Sequence, residues 1–108
     1  MATRERRSSE RVNISLPATV ERLGHRSLSA PATTVDLGEG GVQLVASAAL
    51  AVGDVVKVFI GNGDLGVSQQ GLVVGQQLHA GDQAAVNIAF RTPTEVDAAR
   101  LRDLIDLR

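Results

Sequence analysis

The sequence predicts a mainly β domain, a six-stranded antiparallel β-barrel followed by one C-terminal α-helix. Three observations predict it: short segments in which apolar and polar residues alternate, glycine-rich turns at steady spacing between them, and a helix-start signature near the end. The 108 residues are the length of one domain. We therefore expect a single domain composed of a flexible arginine-rich leader (1–13), a barrel (14–91) and a terminal helix (92–108).

The first strand is predicted from Ile14 onward, because Ile14, Leu16, Ala18 and Val20 alternate with polar residues. Pro17 falls on the outward side of this alternation. Since proline cannot donate a ladder hydrogen bond, this predicts an edge position or a bulge. A second strand is expected near residues 32–36, after a turn-prone segment.

Four further strands follow from the same patterns. Val42 and Leu44 mark the third strand, "VVKVFI" at 55–60 marks the fourth, and a long fifth strand covers roughly 67–78 with Gly71 and Gly75 predicted as bends. The sixth strand has the inward residues Ala84, Val86, Ile88 and Phe90.

The C-terminal helix is predicted from a capping box. Thr92 is the expected N-cap, Pro93 occupies the first helical position and Glu95 lies at N3. An apolar stripe then faces the barrel, and we expect the helix to cover one face or one open end of it; the stripe consists of Val96, Leu101, Leu104 and Ile105.

The composition disfavours several classes of function. The net charge is −1 and two phenylalanines are the only aromatic residues, which disfavours broad duplex binding and the base stacking typical of single-strand binders. There is no cysteine, which is compatible with a reducing compartment. No segment resembles a signal peptide or a membrane span. We therefore expect a soluble, cytoplasmic protein that neither binds nucleic acid nor inserts into a membrane.

Positive charge is concentrated in the leader, at Arg4, Arg6, Arg7 and Arg11. One interpretation is a solvated basic segment that only aids solubility. The other is an anion clamp, since guanidinium groups bind phosphate oxygens bidentately and also match the O6 and N7 acceptors of guanine.

The segment "DLGEGG" at 36–41 also has two interpretations. It is either an ordinary strand connection or a turn whose backbone N–H groups a phosphate can approach, with Asp36 accepting hydrogen bonds from the N1–H and N2–H edge of guanine.

Nothing in the sequence predicts an enzyme, a cofactor or a metal site. His25 and His79 have no third ligand to accompany them and are expected to be surface turn residues. We find no catalytic triad spacing, P-loop, paired-carboxylate motif or dinucleotide fingerprint.

Together, the two candidate motifs resemble those of the PilZ domain, a bacterial receptor for cyclic di-GMP. Arg7-x-x-x-Arg11 is similar to the family's RxxxR motif, and "DLGEGG" is similar to its [DN]xSxxG motif. The resemblance extends over residues 6–108, including "VNISLPATV", "VDLGEGGVQL", "ALAVGDVVKV" and "VNIAF". It implies the same six-stranded barrel with a C-terminal helix.

The resemblance also implies a ligand and a set of binding residues. Arg7 and Arg11 would clamp the phosphates and guanine bases of cyclic di-GMP, and Asp36 would read a guanine edge. Arg6, just ahead of the motif, is placed to influence whether one ligand or a stacked pair is bound. The loop glycines complete the expected site, with Gly41 holding a tight turn; they are Gly38, Gly40 and Gly41.

One departure from the family pattern keeps a second hypothesis open. Gly38 stands where the motif has serine, so one ligand hydroxyl contact is missing. The first hypothesis is a cyclic di-GMP receptor that regulates an unidentified effector protein. The alternatives are a PilZ-like interaction domain that does not bind the nucleotide, an unrelated barrel that binds nucleic acid, and a hydrolase or transferase.

Overall fold

The computed structural model describes residues 11–24, 28–47, 50–61, 66–91 and Ala99. The predicted terminal helix therefore lies, except for Ala99, outside the described residues, as does the leader up to residue 10. Within the described part, no helix is long and apolar enough to cross a bilayer. The described residues form seven strands, in the order β1 Arg11–Asn13, β2 Pro17–Arg22, β3 Leu28–Gly38, β4 Gly41–Ser47, β5 Val55–Ile60, β6 Val67–Ala80 and β7 Gln83–Phe90.

The strands form a closed antiparallel barrel. Hydrogen-bonded neighbours follow the order β2–β5–β6–β7–β4, and β3 pairs with both β2 and β4, which closes the ring. The short β1 pairs with the end of β3 beyond β2, so β1 and β2 together make one interrupted barrel strand. The predicted six-stranded antiparallel barrel is confirmed, and residues 11–13, which we assigned to the leader, form β1.

The interruption between β1 and β2 is bridged by Thr34 of β3. Its buried hydroxyl donates to the carbonyl oxygen of Ile14 at 2.6 Å and accepts from the backbone N–H of Leu16 at 2.8 Å. The backbone N–H of Thr34 also donates to the carbonyl oxygen of Leu16 at 2.9 Å. One side chain thus satisfies two backbone groups where the strand leaves its regular ladder.

Pro17 begins β2 and is not on an edge strand. β2 lies between β3 and β5 and pairs with both in unbroken register, so neither the predicted edge position nor the predicted bulge is found at Pro17. The chain instead leaves the ladder just before it, at residues 14–16. Proline is tolerated as the first residue of a strand because the ladder does not yet need its N–H.

The interior of the barrel is apolar and follows the predicted alternation. The fully buried side chains include Leu37, Val42, Leu44, Val86 and Ile88. Three partly buried side chains pack against this core: Ile14, Leu16 and Phe90. Each strand therefore presents its other side outward.

The long strand β6 is irregular at one of the two predicted bends. The register shifts between Val73 and Gly75, whereas Gly71 pairs with Phe90 in unbroken register. Gly71 is needed for another reason: a Cβ there would lie 2.7 Å from the carbonyl oxygen of Ala89. β6 continues to Ala80, so His79 lies on a strand and not in a turn.

Replacing Thr34 with valine should destabilise the barrel by about 2–3 kcal/mol, because the isosteric side chain leaves the Ile14 carbonyl and the Leu16 N–H without their shared partner. The free energy of unfolding, measured by urea titration, tests this. The control is the exposed neighbour Thr33, whose change to valine should shift the value by less than about 0.5 kcal/mol. Equal effects of the two substitutions would contradict the bridging role of Thr34.

Candidate functional site

Five of the seven predicted site residues are described, and β1, β3 and β4 bring them together. Arg11 pairs with Gly38 across β1 and β3, and Gly38 pairs with Gly41 across β3 and β4. Asp36 lies two residues before Gly38 on β3, and Gly40 is in the turn. The other two predicted residues, Arg6 and Arg7, lie outside the described residues.

Arg11 and Asp36 form an ion pair on the outer surface of the barrel. The Nη1 atom of Arg11 donates to the Oδ1 atom of Asp36 at 2.6 Å. The side chains remain 37% and 21% exposed, respectively. Each side chain therefore keeps surface that a ligand can reach.

The turn between β3 and β4 is a tight hairpin. Gly38 and Gly41 are paired, which leaves Glu39 and Gly40 as the two turn residues. The carbonyl oxygen of Gly40 accepts a hydrogen bond from the N–H of Phe90 at 2.9 Å, so the turn is held against β7. A Cβ on Gly40 would meet no atom within 4 Å.

Gly41 is the first residue of β4 and does not lie within the turn. A glycine is required there by close packing. A Cβ at this position would clash with the carbonyl oxygen of Ile88 and would lie 3.0 Å from Nη2 of Arg11. The guanidinium of Arg11 thus extends over Gly41, with one nitrogen bonded to Asp36 and another above the glycine.

Cross-strand pairing extends this cluster over the neighbouring strands. Directly opposed residues share a face of the sheet, and the outward row that begins at Arg11 continues through Gly38, Gly41, Ala89 and Leu72. The three central positions, which we call the small-residue floor, are Gly38, Gly41 and Ala89. With strands about 4.8 Å apart, this floor is roughly 10 Å wide.

A row of polar residues borders the floor. Asn13, Asp36, Gln43 and Asn87 are successive cross-strand partners on the same outer face. The site therefore combines a guanidinium, a carboxylate and neutral amides around a flat surface without side chains longer than a methyl group. Such a surface can accept a planar ring, while its polar border can bind phosphate oxygens and ring N–H groups.

Sequence reasoning did not identify the contributions of β4 and β7. Gln43, Asn87 and Ala89 lie on the outward side of strands whose inward residues were predicted, so their orientation could be inferred from the alternation. Their closeness to Arg11 could not be inferred, because it depends on the β3–β4–β7 order of strands.

A second arginine–carboxylate pair lies away from this surface. Arg22 Nη1 is 3.4 Å from Asp54 Oδ2, and this carboxylate oxygen also accepts from the backbone N–H of Ala51 at 2.9 Å. The pair links the end of β2 to the turn before β5, which makes its role structural.

The comparisons with known proteins agree with this architecture. The family model described as the PilZ domain matches residues 5–107. The solved structure of the Bacillus subtilis inhibitor of motility (MotI/DgrA) is similar, with a TM-score of 0.62, 12% sequence identity and coverage of 91% of this chain. At this identity the likeness concerns the fold alone, and this chain spans 50% of the length of that solved chain. A search of curated proteins gave no match. Since the family model matches nearly the whole chain, the chain belongs to the PilZ domain family.

Proposed function

We propose that this protein is a cytoplasmic receptor for cyclic di-GMP that binds the nucleotide without converting it and thereby presents a changed surface to an effector protein. The observation that carries the proposal is the Arg11–Asp36 pair at the edge of the small-residue floor, at positions that match the nucleotide-binding motifs of the family.

The chemistry of the site supports this ligand. Cyclic di-GMP carries two phosphate charges and two guanine bases. Arg11 can donate to a phosphate or to guanine O6 and N7, and Asp36 can accept from guanine N1–H and N2–H. When the guanidinium of Arg11 moves off Gly41, the small-residue floor leaves room for a base or sugar to lie flat. Arg6 and Arg7, which the family resemblance assigns to the binding set, would add further positive charge for the phosphates.

The ion pair does not block this function. Exposed pairs contribute only about 0–1 kcal/mol, whereas each charge-assisted hydrogen bond to a ligand contributes about 1.5–3 kcal/mol. Rearranging Arg11 and Asp36 around a dianion therefore costs little compared with what the new contacts provide. In the free protein, the pair holds the guanidinium of Arg11 over Gly41 of the floor, so the ligand has to displace it.

A second candidate function is favoured by Gly38, which stands where the family motif has serine. It is a PilZ-like interaction domain that does not bind the nucleotide. The missing hydroxyl removes a neutral hydrogen bond of about 0.5–1.5 kcal/mol, or roughly a two- to tenfold loss in affinity. This loss is smaller than the contribution of the arginines, so we favour the receptor.

The protein should bind cyclic di-GMP in preference to cyclic di-AMP, GTP and GMP. Adenine presents an amino donor where guanine presents O6, and it lacks the N1–H and N2–H donors that Asp36 would accept. Isothermal titration of the full chain with each nucleotide tests the preference. Equal affinity for cyclic di-AMP would contradict guanine reading by Arg11 and Asp36, and no binding of any of them would favour the interaction domain.

Arg11→Ala should weaken cyclic di-GMP binding by about thirty- to a thousandfold, because it removes charge-assisted contacts of roughly 2–4 kcal/mol in total. Its stability without ligand should fall by no more than about 1 kcal/mol, since the pair with Asp36 is at the surface. The measurements are isothermal titration and thermal unfolding with and without the nucleotide.

The matched control for Arg11→Ala is Arg22→Ala, because Arg22 belongs to the other arginine–carboxylate pair but lies away from the site. We expect the control to keep full nucleotide affinity. The proposal fails if both variants bind alike, or if Arg11→Ala retains the ligand-induced rise in melting temperature.

Gly38→Ser should tighten cyclic di-GMP binding by roughly two- to tenfold relative to Gly38→Ala, because the two variants differ only by a hydroxyl that can bond the ligand. Comparing these two variants separates the hydrogen bond from the effect of adding a Cβ at this buried position. Titration of both proteins measures the difference. Equal affinities would mean that no ligand atom lies within reach of residue 38.

A further inference from the structure

Three neighbouring strands of the barrel carry no charged residue other than a histidine. β6, β7 and β4 are adjacent in the sheet, and their sequences, "VSQQGLVVGQQLHA", "QAAVNIAF" and "GVQLVAS", contain no Asp, Glu, Lys or Arg. Charged residues do occur on the other strands, for example Glu21 on β2, Asp36 on β3 and Lys57 on β5. We call the outward side of β4, β6 and β7 the neutral face.

The neutral face also exposes large apolar side chains. Leu72 and Val74 of β6 point outward and are 40% and 53% exposed. Val52 is more exposed still, and its turn lies against β6 because the N–H of Gly53 donates to the carbonyl oxygen of Val73 at 2.9 Å. The interior of protein interfaces is depleted in charge and rich in apolar contacts, and this face has both properties.

Phe59 provides the contrast on another part of the barrel. It is exposed to the same degree as Leu72, at 41%, but it lies on β5 opposite Thr19 of β2. The ammonium group of Lys57 lies 5.4 Å from the centre of its ring, and Lys57 itself pairs with Glu21 across the strands. Its apolar surface is therefore surrounded by charges.

We propose that the neutral face binds a second copy of this chain in a two-fold symmetric dimer. In such an interface each patch faces the same patch on the partner, so a charge close to the axis would face its own copy. A face without such charges avoids this repulsion. Gln77 carries an outward amide that can both donate and accept, so it can pair with its own copy. The small residues Gly75 and Ala85, which lie outside the candidate ligand site, allow the two sheets to approach closely.

The area of the face limits how much surface the dimer can bury. Three strands of about seven residues, at the usual spacing between strands and rise per residue, cover roughly 400 Å² on each partner. A stable complex buries about 800 Å² per partner. We therefore expect a weak dimer, with a dissociation constant on the order of 10–500 µM, which forms without any nucleotide.

Sedimentation equilibrium of the full chain, without nucleotide and over about 5 µM to 1 mM, brackets the expected dissociation constant. The mean mass should rise from the monomer value of 11.3 kDa toward twice that value. Leu72→Glu and, separately, Val74→Glu should weaken association at least tenfold, because each places a charged carboxylate in an apolar part of the proposed interface. Phe59→Glu, at a site of matched exposure, should associate like the wild type.

Thermal unfolding of each variant verifies that it is folded, and two glutamate variants ensure that the test survives if one of them does not fold. A wild-type protein that stays monomeric at the highest concentration overturns the proposal, and it would indicate that the face is free for a different partner. The proposal is equally overturned if both face variants associate like the wild type, or if Phe59→Glu abolishes association. Because no nucleotide is present, these outcomes are independent of cyclic di-GMP binding.

Discussion

Closure of the sheet through β3 is the constraint on which the rest of the structure depends. This strand pairs with β1, β2 and β4, so it joins β2 and β4, the two ends of the order β2–β5–β6–β7–β4, into a ring. Once the ring is closed, the two-residue period of a strand fixes which side chains enter the core and which face outward. The hydroxyl of Thr34 and the bulge beside it let β3 maintain this pairing where β1 gives way to β2.

The alternation of apolar residues predicted six barrel strands and their inward faces, but it missed β1 and the break at residues 14–16. Val42, Leu44, Val86 and Ile88 are buried as expected, because apolar and polar residues alternate along a strand that buries one side. The position of Pro17 was predicted less well. The alternation of the segment placed Pro17 on the outward side. Proline is tolerated at sheet edges, at bulges and at the first residue of a strand, and only the order of the strands shows which of these positions Pro17 has. The terminal helix remains a prediction, since residues 92–98 and 100–108 lie outside the described part of the chain.

The candidate site was predictable in composition but not in geometry. The motif residues Arg11, Asp36 and Gly41 were identified through the resemblance to the family motifs, and the structure places them together. The contact between the guanidinium of Arg11 and Asp36 joins residues 25 positions apart, and the contribution of Ala89 requires knowing that β7 pairs with β4. Pairings of this kind are long-range, and a single sequence contains no local signal for them. Gly41 illustrates the limit: a glycine expected to form a turn is needed because Ile88 and Arg11 approach it from outside the hairpin.

The small-residue floor and the neutral face share β4 and β7, and this links the two proposals. Gly41 and Ala89 lie between Arg11 on one side and Leu72 on the other. A nucleotide lying on the floor would border Leu72, the next residue of the outward row. The neutral face alone is too small for a stable dimer, so ligand surface added beside Leu72 would increase the area available for self-association. If the nucleotide raises the association constant of the dimer by some factor, dimerisation raises the nucleotide affinity by the same factor. A change of surface on ligand binding therefore needs no rearrangement of the strands, because the ligand itself extends the surface.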